Sequence, residues 1–321
     1  MGNLAATYSK QGRLKECEKM ALEVLEKRKL VNGEDHPSTA LAMANLAVTY
    51  SEQGRLGEAE KMASEALESR RRFLPPDHPD ITSSIGTLAM VVGAQGRRDD
   101  AAKMEIEVLE KLTRTLGKDH LDTIRAMANL AVTYGWQGKL EEEEKMELEV
   151  LERRTRILGK EHPATIETAG NLAMTYQWQK RYTDAERIGL EVLEQRRRLM
   201  GLAHPRTILA ADNLTLTYHS EEKWKEAELL SSETLDARKK MDPKMELVDT
   251  IKAAGRLALA IRYQDRWEET ETLLASVVER SLQVMGAQDP NTQRYIQGLI
   301  KVYNQLGKAK EAEETEKLLL A

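Results

Sequence analysis

Residues 42–50 of this chain read AMANLAVTY, and the same nine letters stand again at residues 126–134, two periods of 42 residues further along. A histidine recurs on the same spacing, at His36, His78, His120, His162 and His204. An asparagine does so at Asn3, Asn45, Asn129, Asn171 and Asn213. Self-similarity at a fixed period of about 20–50 residues is the signature of a repeat array. We therefore expect similar repeats stacked in a row, rather than one large core.

Eight repeats fit the 321 residues, with approximate bounds 1–34, 35–76, 77–118, 119–160, 161–202, 203–245, 246–287 and 288–321. One extra residue enters the spacing within Met241–Met245, and beyond it Asp289 takes the place of the histidine. The first repeat lacks the start of a first helix, and the last stops within a second helix. We therefore expect a single repeat domain that is a fragment of a longer protein.

Each repeat is predicted to form two helices. In the second repeat, Pro37 suits the first turn of a helix, where its missing N–H costs nothing. Apolar residues then recur near the helical period over Leu41–Tyr50, and again over Leu56–Leu67. Gly54 between them supplies a left-handed stop. The pattern predicts an all-α fold in which neighbouring repeats cover the apolar face that one helix pair leaves open.

The stop glycine is replaced in three repeats, by Lys180, Glu222 and Asp265. If these residues keep the left-handed conformation, each costs roughly 1 kcal/mol. Cys17 falls in a column of small residues with Ala59, and is interpreted as core.

Composition excludes several classes of function. A net charge of −5 argues against nucleic-acid binding. A single cysteine rules out an internal disulfide framework and favours a cytoplasmic setting. No apolar run approaches the roughly 20 residues that a membrane span needs. The sequence contains no phosphate-binding loop, no metal-ligand motif and no nucleophile set, so we expect neither an enzyme nor a cofactor.

The columns that begin at Leu46, Ala47, Tyr50, Gly54, Ala59 and Ala66 resemble the tetratricopeptide repeat (TPR) signature. The fragments NLAVTYSEQGRLGEAEKM and LGKEHPATIETAGNLAMTY are similar to the 42-residue kinesin light chain subclass. That subclass also occurs in nephrocystin-like proteins and in sensor arrays of fungal and bacterial NB-ARC or STAND receptors. The resemblance implies a right-handed superhelical α-solenoid of about eight helix-turn-helix repeats, whose first helices line a concave groove.

The resemblance also implies that the asparagine column hydrogen-bonds the backbone of an extended peptide. The matching groove residues are Asn45, Asn129, Asn171 and Asn213. An amide both donates and accepts, so it can pair with a peptide bond whatever the ligand's side chains are. The alternative is that these residues serve only the packing of the helices.

Other residues are predicted to share the groove face with the asparagines. One turn away lie Arg125, Val132, Met174 and Leu216, and seven residues beyond the asparagines lie Trp136 and Trp178. The two tryptophans would form an apolar platform, or each would pack on a neighbouring helix pair. Small residues beside the column would make room for a ligand or allow close helix packing; these are Gly86, Ala128, Gly170 and Gly255.

A basic residue opens the second helix of every repeat, at Arg13, Arg55, Arg97, Lys139, Arg181, Lys223, Arg266 and Lys308. A salt bridge to a nearby glutamate, an acidic partner or a solvated turn would each explain it. The kinesin light chain resemblance implies acidic peptides with an aromatic anchor. The run Glu141–Glu144 is interpreted as a solvated face.

The sequence thus predicts a protein- or peptide-binding scaffold. The alternative is a structural or regulatory array without a free peptide ligand, which packs on its own parent receptor or self-associates. We expect a monomer, or weak self-association through the terminal helices, and neither a nucleic-acid nor a membrane partner.

Overall fold

The computed structural model describes residues 13–240 and 247–319, and within these ranges it contains fifteen α-helices and no strand. The helices are α1 (Leu14–Asn32), α2 (Pro37–Glu52), α3 (Leu56–Phe73), α4 (Pro79–Ala94), α5 (Arg98–Leu116), α6 (Leu121–Trp136), α7 (Leu140–Leu158), α8 (Pro163–Trp178), α9 (Tyr182–Met200), α10 (Pro205–Ser220), α11 (Trp224–Lys239), α12 (Leu247–Arg262), α13 (Trp267–Val284), α14 (Pro290–Gln305) and α15 (Ala309–Glu316). The predicted all-α solenoid of helix pairs is confirmed. Asn3 and the Met241–Met245 insertion lie outside the described residues.

The recurring histidines are helix caps. Nδ1 of His36 accepts a hydrogen bond of 3.1 Å from the backbone N–H of Ser38, at the start of α2. The same contact begins α4, α6, α8 and α10, at His78, His120, His162 and His204. In α14 a carboxylate replaces the imidazole, and Oδ1 of Asp289 accepts from the N–H of Asn291 at 2.8 Å. A side chain that accepts from the exposed N–H groups of the first turn stabilises the helix start.

The turns inside the pairs are left-handed. Gly54 has φ of 75°, and Gly96 and Gly138 have φ of 83° and 77°. Lys180, Glu222 and Asp265 keep that conformation, with φ of 62°, 58° and 59°. The condition under which each replacement costs roughly 1 kcal/mol is therefore met at all three positions.

The described chain divides into two compact halves, the first ending at Ile157 and the second beginning at Leu158. Within each half, consecutive helices pack on one another. The N-terminal core contains Leu46, Ile85 and Leu130, each 1% exposed. Cys17, 3% exposed, belongs to this core as predicted. The C-terminal core is built in the same way from buried residues that include Leu172, Leu214, Ile251 and Ile296.

A three-residue clamp joins successive helix pairs. Nη1 of Arg55 lies 2.5 Å from Oε1 of Glu18 in the preceding repeat. Nε2 of Gln53 donates to the other oxygen of Glu18, at 2.9 Å. Arg55 also pairs with Glu58, one turn along its own helix, as the salt-bridge interpretation expected. The contact between repeats recurs in Arg97–Glu60, Lys223–Glu186, Arg266–Glu228 and Lys308–Glu271. Five residues of the basic column therefore form ion pairs between neighbouring repeats.

The solvated-face interpretation of Glu141–Glu144 is wrong at Glu143, which is only 4% exposed. Glu143 stands in the small buried column of Cys17 and Ala59. Its carboxylate fits there because Gly135 lies opposite, and a Cβ on Gly135 would overlap it.

Candidate functional site

The groove face is defined here as the surface of the first helices that carries the asparagine column. Asn45, Asn129 and Asn171 are exposed on it, and Asn213 is half-buried. The residue that follows each asparagine is a buried leucine, and consecutive residues lie about 100° apart around a helix, so the asparagine lies beside the buried face. Within the described residues, the side-chain amides of these four asparagines make no hydrogen bond. They are available to a ligand.

A pocket of about 660 Å³ opens on the groove face of the N-terminal half, between α2, α4, α5 and α6. We call it the N-terminal pocket. It brings together four of the predicted site residues, Arg125, Asn129, Val132 and Trp136. The Trp136 side chain is 48% exposed, and its ring lies near Gly93, where a Cβ would come within 3.8 Å of Cζ3. Asn45 does not line this pocket.

The equivalent space in the C-terminal half, the C-terminal pocket, is only about 120 Å³. It is lined by α8, α9 and α10 and includes Asn171, Met174 and Asn213. Trp178 is 50% exposed and Leu216 is 37% exposed, but neither lines the pocket. The tryptophan platform stays a prediction, since Trp136 and Trp178 belong to different halves.

The small residues of the groove face have different surroundings. Gly86 lines the N-terminal pocket, and outside its own helix no atom of the described residues would lie within 4 Å of a Cβ there. Gly170 faces the Arg196 guanidinium, whose Nη2 would lie 3.6 Å from such a Cβ. Gly255 is covered by the ring of Tyr295. Gly86 therefore provides space for a ligand, whereas Gly255 provides close packing between helices.

The 42-residue spacing also contains a column of buried and half-buried arginines, which was not among the predicted site residues. Its members are Arg28, Arg70, Arg154, Arg196 and Arg238. Arg70 is 3% exposed, and its Nη1 donates to the carbonyl of Asp80 at 2.8 Å and to the Ser84 hydroxyl at 2.7 Å. Burial lowers the pKa of Arg70 and of Arg196, because charge is costly away from water. In the third repeat Leu112 takes this position and lines the N-terminal pocket.

Glu105 is the other unexpected member of the N-terminal pocket. Burial raises the pKa of its carboxyl group, and a hydrogen bond with Thr133 acts in the opposite direction. Its Oε2 is buried and has no hydrogen-bond partner among the residues described. At the edge of the same pocket, Arg125 pairs with Asp122 at 2.8 Å. The pocket therefore combines apolar walls with an inward carboxyl group.

His219 packs against Trp224, with ring centroids 5.7 Å apart. Burial, with a smaller contribution from Arg256, lowers its pKa to about 4. In residues 13–240 and 247–319, no three His, Cys, Asp or Glu side chains are grouped to hold a metal ion. Over the same part of the chain, no helix has the length and apolar character needed to cross a bilayer.

Comparison with known proteins agrees with this architecture. Two family models described as tetratricopeptide repeat match the chain, one over residues 1–72 and 164–240 and the other over 81–122 and 123–164. No curated protein sequence gives a significant match.

Solved structures with the same fold share little sequence with this chain. A kinesin light chain-type protein of Podosopora anserina, with nearly identical TPR-like repeats, is 22% identical, has a TM-score of 0.57, and aligns over 65% of this chain and 99% of its own. The quorum sensor NprR of B. thuringiensis, in its apo form, is 17% identical with a TM-score of 0.70, over 99% of this chain and 86% of its own.

A STAND protein of Pyrococcus horikoshii with a tetratricopeptide repeat sensor is 14% identical with a TM-score of 0.72, over 100% of this chain and 47% of its own. The family matches, the paired helices and the left-handed turns lead to one conclusion: this chain belongs to the tetratricopeptide repeat family.

Proposed function

We propose that this chain is a protein- or peptide-binding scaffold that uses the groove face of its first helices. The observation that carries the proposal is the N-terminal pocket, in which Arg125, Asn129, Val132 and Trp136 line one space of about 660 Å³. Ligand pockets commonly have volumes of roughly 300–1,000 Å³, with apolar walls and a few polar groups. The pocket fits this description, and it lies on the exposed face of the helices.

The asparagines supply a means of holding an extended chain. The amide of Asn129 is exposed and has no intramolecular hydrogen bond. An amide can accept from a ligand N–H and donate to a ligand carbonyl at the same time. Asn171 and Asn213 bring the same chemistry to the C-terminal pocket. Recognition of the peptide backbone by these residues would be tolerant of the ligand's sequence, so pockets must supply the specificity.

The similar proteins agree with a binding role. NprR is a quorum sensor, and the Pyrococcus protein carries its repeats as a sensor. We assign this chain the same general task of recognising a partner, without a catalytic step, in the cytoplasm.

A second function is favoured by one finding. The whole of this chain aligns with 47% of the STAND protein. The array could therefore serve as the sensor region of a larger receptor, with its groove face occupied by another domain of the same protein. In that case an added peptide would not bind.

The test is a random peptide display selection on the whole chain, followed by affinity measurements on a triple variant, Asn129→Ala, Asn171→Ala and Asn213→Ala. A hydrogen bond contributes about 1 kcal/mol, so loss of two or three weakens binding roughly 30- to 150-fold. The matched control is Glu110→Ala, Glu152→Ala and Glu194→Ala, three exposed positions on second helices with the same 42-residue spacing.

Both triple variants should melt close to the wild-type temperature, because all the replaced side chains except Asn213 are exposed. Selected peptides that bind the asparagine variant as tightly as the wild type would overturn the groove assignment. A selection that yields no peptide would favour the receptor array.

A further inference from the structure

The N-terminal and C-terminal pockets are built largely from equivalent positions, two repeats apart in the sequence. Of the positions that line both pockets five differ, and three of these are Ser83 and Glu167, Thr87 and Asn171, and Arg125 and Leu209. Residue 105 is glutamate where residue 189 is glycine, and residue 112 is leucine where residue 196 is arginine. Their volumes are about 660 and 120 Å³. The second helix of the pair therefore brings a carboxyl group to the larger pocket and an arginine to the smaller one.

Arg196 places a long side chain in the C-terminal pocket, where the N-terminal pocket has the shorter Leu112. In the C-terminal half, the Arg196 guanidinium lies against Gly170, and its Nη1 donates to the carbonyl of Arg206 at 2.7 Å. The corresponding glycine in the third repeat is Gly86, which has open space around it. A leucine at residue 112 does not extend as far as an arginine and carries no donor. The space that the array usually fills with its own guanidinium is therefore open.

The acceptors for a guanidinium remain in place. Oε2 of Glu105 is buried and lacks a hydrogen-bond partner in the described chain. The carbonyl of Asp122, equivalent to those of Asp80 and Arg206, receives no guanidinium from residue 112, because that residue is leucine. Three carboxyl groups line the pocket, at Asp80, Glu105 and Asp122, against one cation, Arg125, which is already paired with Asp122.

The walls suit the rest of an arginine side chain. Met90 is 45% exposed in the pocket, and Val108, Leu112 and Trp136 add apolar surface. A methylene stem covers apolar surface while its charged end reaches an acceptor. An indole face also attracts a guanidinium.

We propose that the N-terminal pocket binds an arginine side chain of the peptide partner, with its guanidinium at Glu105 and its stem beside Met90. This inference rests on the proposed groove function and adds a ligand class to it. The resemblance to kinesin light chains implied an acidic partner, whereas the charges of this pocket favour a basic residue.

The experiment uses four capped peptides of the form Gly-Gly-X-Gly-Gly, in which X is Arg, Lys, Leu or Glu. Binding to the whole chain is followed by NMR of the Met90 methyl group during titration. We expect the Arg peptide to bind most tightly, the Lys peptide several-fold more weakly, and the Leu and Glu peptides at least tenfold more weakly.

Two variants and one control complete the test. Glu105→Gln should weaken the Arg peptide about tenfold and leave the Leu peptide unchanged. Leu112→Arg restores the residue that most other repeats carry, so the fold should be kept while the Arg peptide is excluded. Glu110→Gln changes an exposed acid of the same helix and should have no effect.

The proposal is overturned if the Leu or Glu peptide binds as tightly as the Arg peptide, if Glu105→Gln changes nothing, or if none of the four shifts the Met90 signal. None of these results removes the groove function. That function fails only if peptides selected by display ignore the asparagine substitutions.

Discussion

The ring of Tyr295 covers Gly255, so that a Cβ built on Gly255 would overlap the ring edge and lie 2.8 Å from Oη. Gly255 is in α12 and Tyr295 in α14, the first helices of consecutive repeats. The contact shows what a glycine on the groove face can do. It admits a neighbouring aromatic ring where any side chain would push that ring away.

Gly255→Ala should therefore destabilise the chain, by about 1–3 kcal/mol, because the half-buried ring of Tyr295 has to move. Gly86→Ala should have the opposite sign and stabilise by up to about 1 kcal/mol, since an added methyl group meets open space in a helix interior. Urea unfolding of the two variants beside the wild type measures both changes. Equal effects at the two positions would contradict the different surroundings described here.

The clamp between repeats leads to a prediction for the pKa of the Glu60 carboxyl group. Hydrogen bonds from Gln95, and then from Arg97, lower the pKa of Glu60 below its ordinary value of 4.5. Gln95→Ala should raise that pKa, and Arg97→Ala should do the same, in a carboxyl-detected NMR titration. Lys103→Ala, at an exposed residue paired with Asp100, is the control and should leave Glu60 unchanged.

The lowered pKa of Glu60 determines whether the fold gains or loses stability as the pH falls. A carboxyl group whose pKa is lowered by folding stabilises the fold above its unfolded pKa. This stabilisation is lost as the pH falls below about 4.5 and through the folded-state value. A Glu60 pKa that does not move in either variant would show that the clamp is not formed in solution.

The lowered pKa of His219 predicts a second change of stability with pH, at a higher pH than the change due to Glu60. The pKa of His219 falls from an ordinary 6.5 to about 4 because this residue is buried beside Trp224. The unfolded chain binds this proton more readily, so stability should decrease as the pH falls from about 6.5 towards 4, by up to roughly 3 kcal/mol. His219→Phe keeps a ring against Trp224 and should flatten this dependence.

Unfolding free energies at pH 7 and pH 5 test the change, since the clamp carboxylates lose their effect only below about pH 4.5. His162→Asn retains a capping side chain at an exposed position and serves as the control. An unchanged pH dependence in His219→Phe would contradict the burial of the imidazole.

The left-handed turns give a fourth prediction. Lys180 has φ of 62°, a conformation that costs a residue with a Cβ roughly 1 kcal/mol. Lys180→Gly should stabilise by up to about 1 kcal/mol, although the glycine also makes the unfolded chain more flexible. Gly54→Ala places a Cβ in the same conformation and should destabilise by about 1 kcal/mol. The melting temperatures of the two variants test this strain. A lower melting temperature for Lys180→Gly would mean that the turn is not strained.

Much of the candidate site followed from the repeat spacing. Asn129, Val132 and Trp136 share a helix, and their placement on one face needs only the helical period. The spacing did not reveal Glu105 or Leu112 as pocket residues, because both come from the second helix of the pair. Their importance depends on an arginine that other repeats have and this one lacks.

The sequence by itself determined the order of the helices and the family, because the helical period and the turn residues are local patterns and the 42-residue spacing repeats them along the chain. Gly54 ends one helix just before the next begins. Only the tertiary structure decided which small residues border open space, which glutamates are buried and which cations join repeats. Those outcomes depend on side chains about 37 to 40 residues away, as Arg55 and Glu18 show. A local pattern cannot specify the neighbour that occupies the adjoining space.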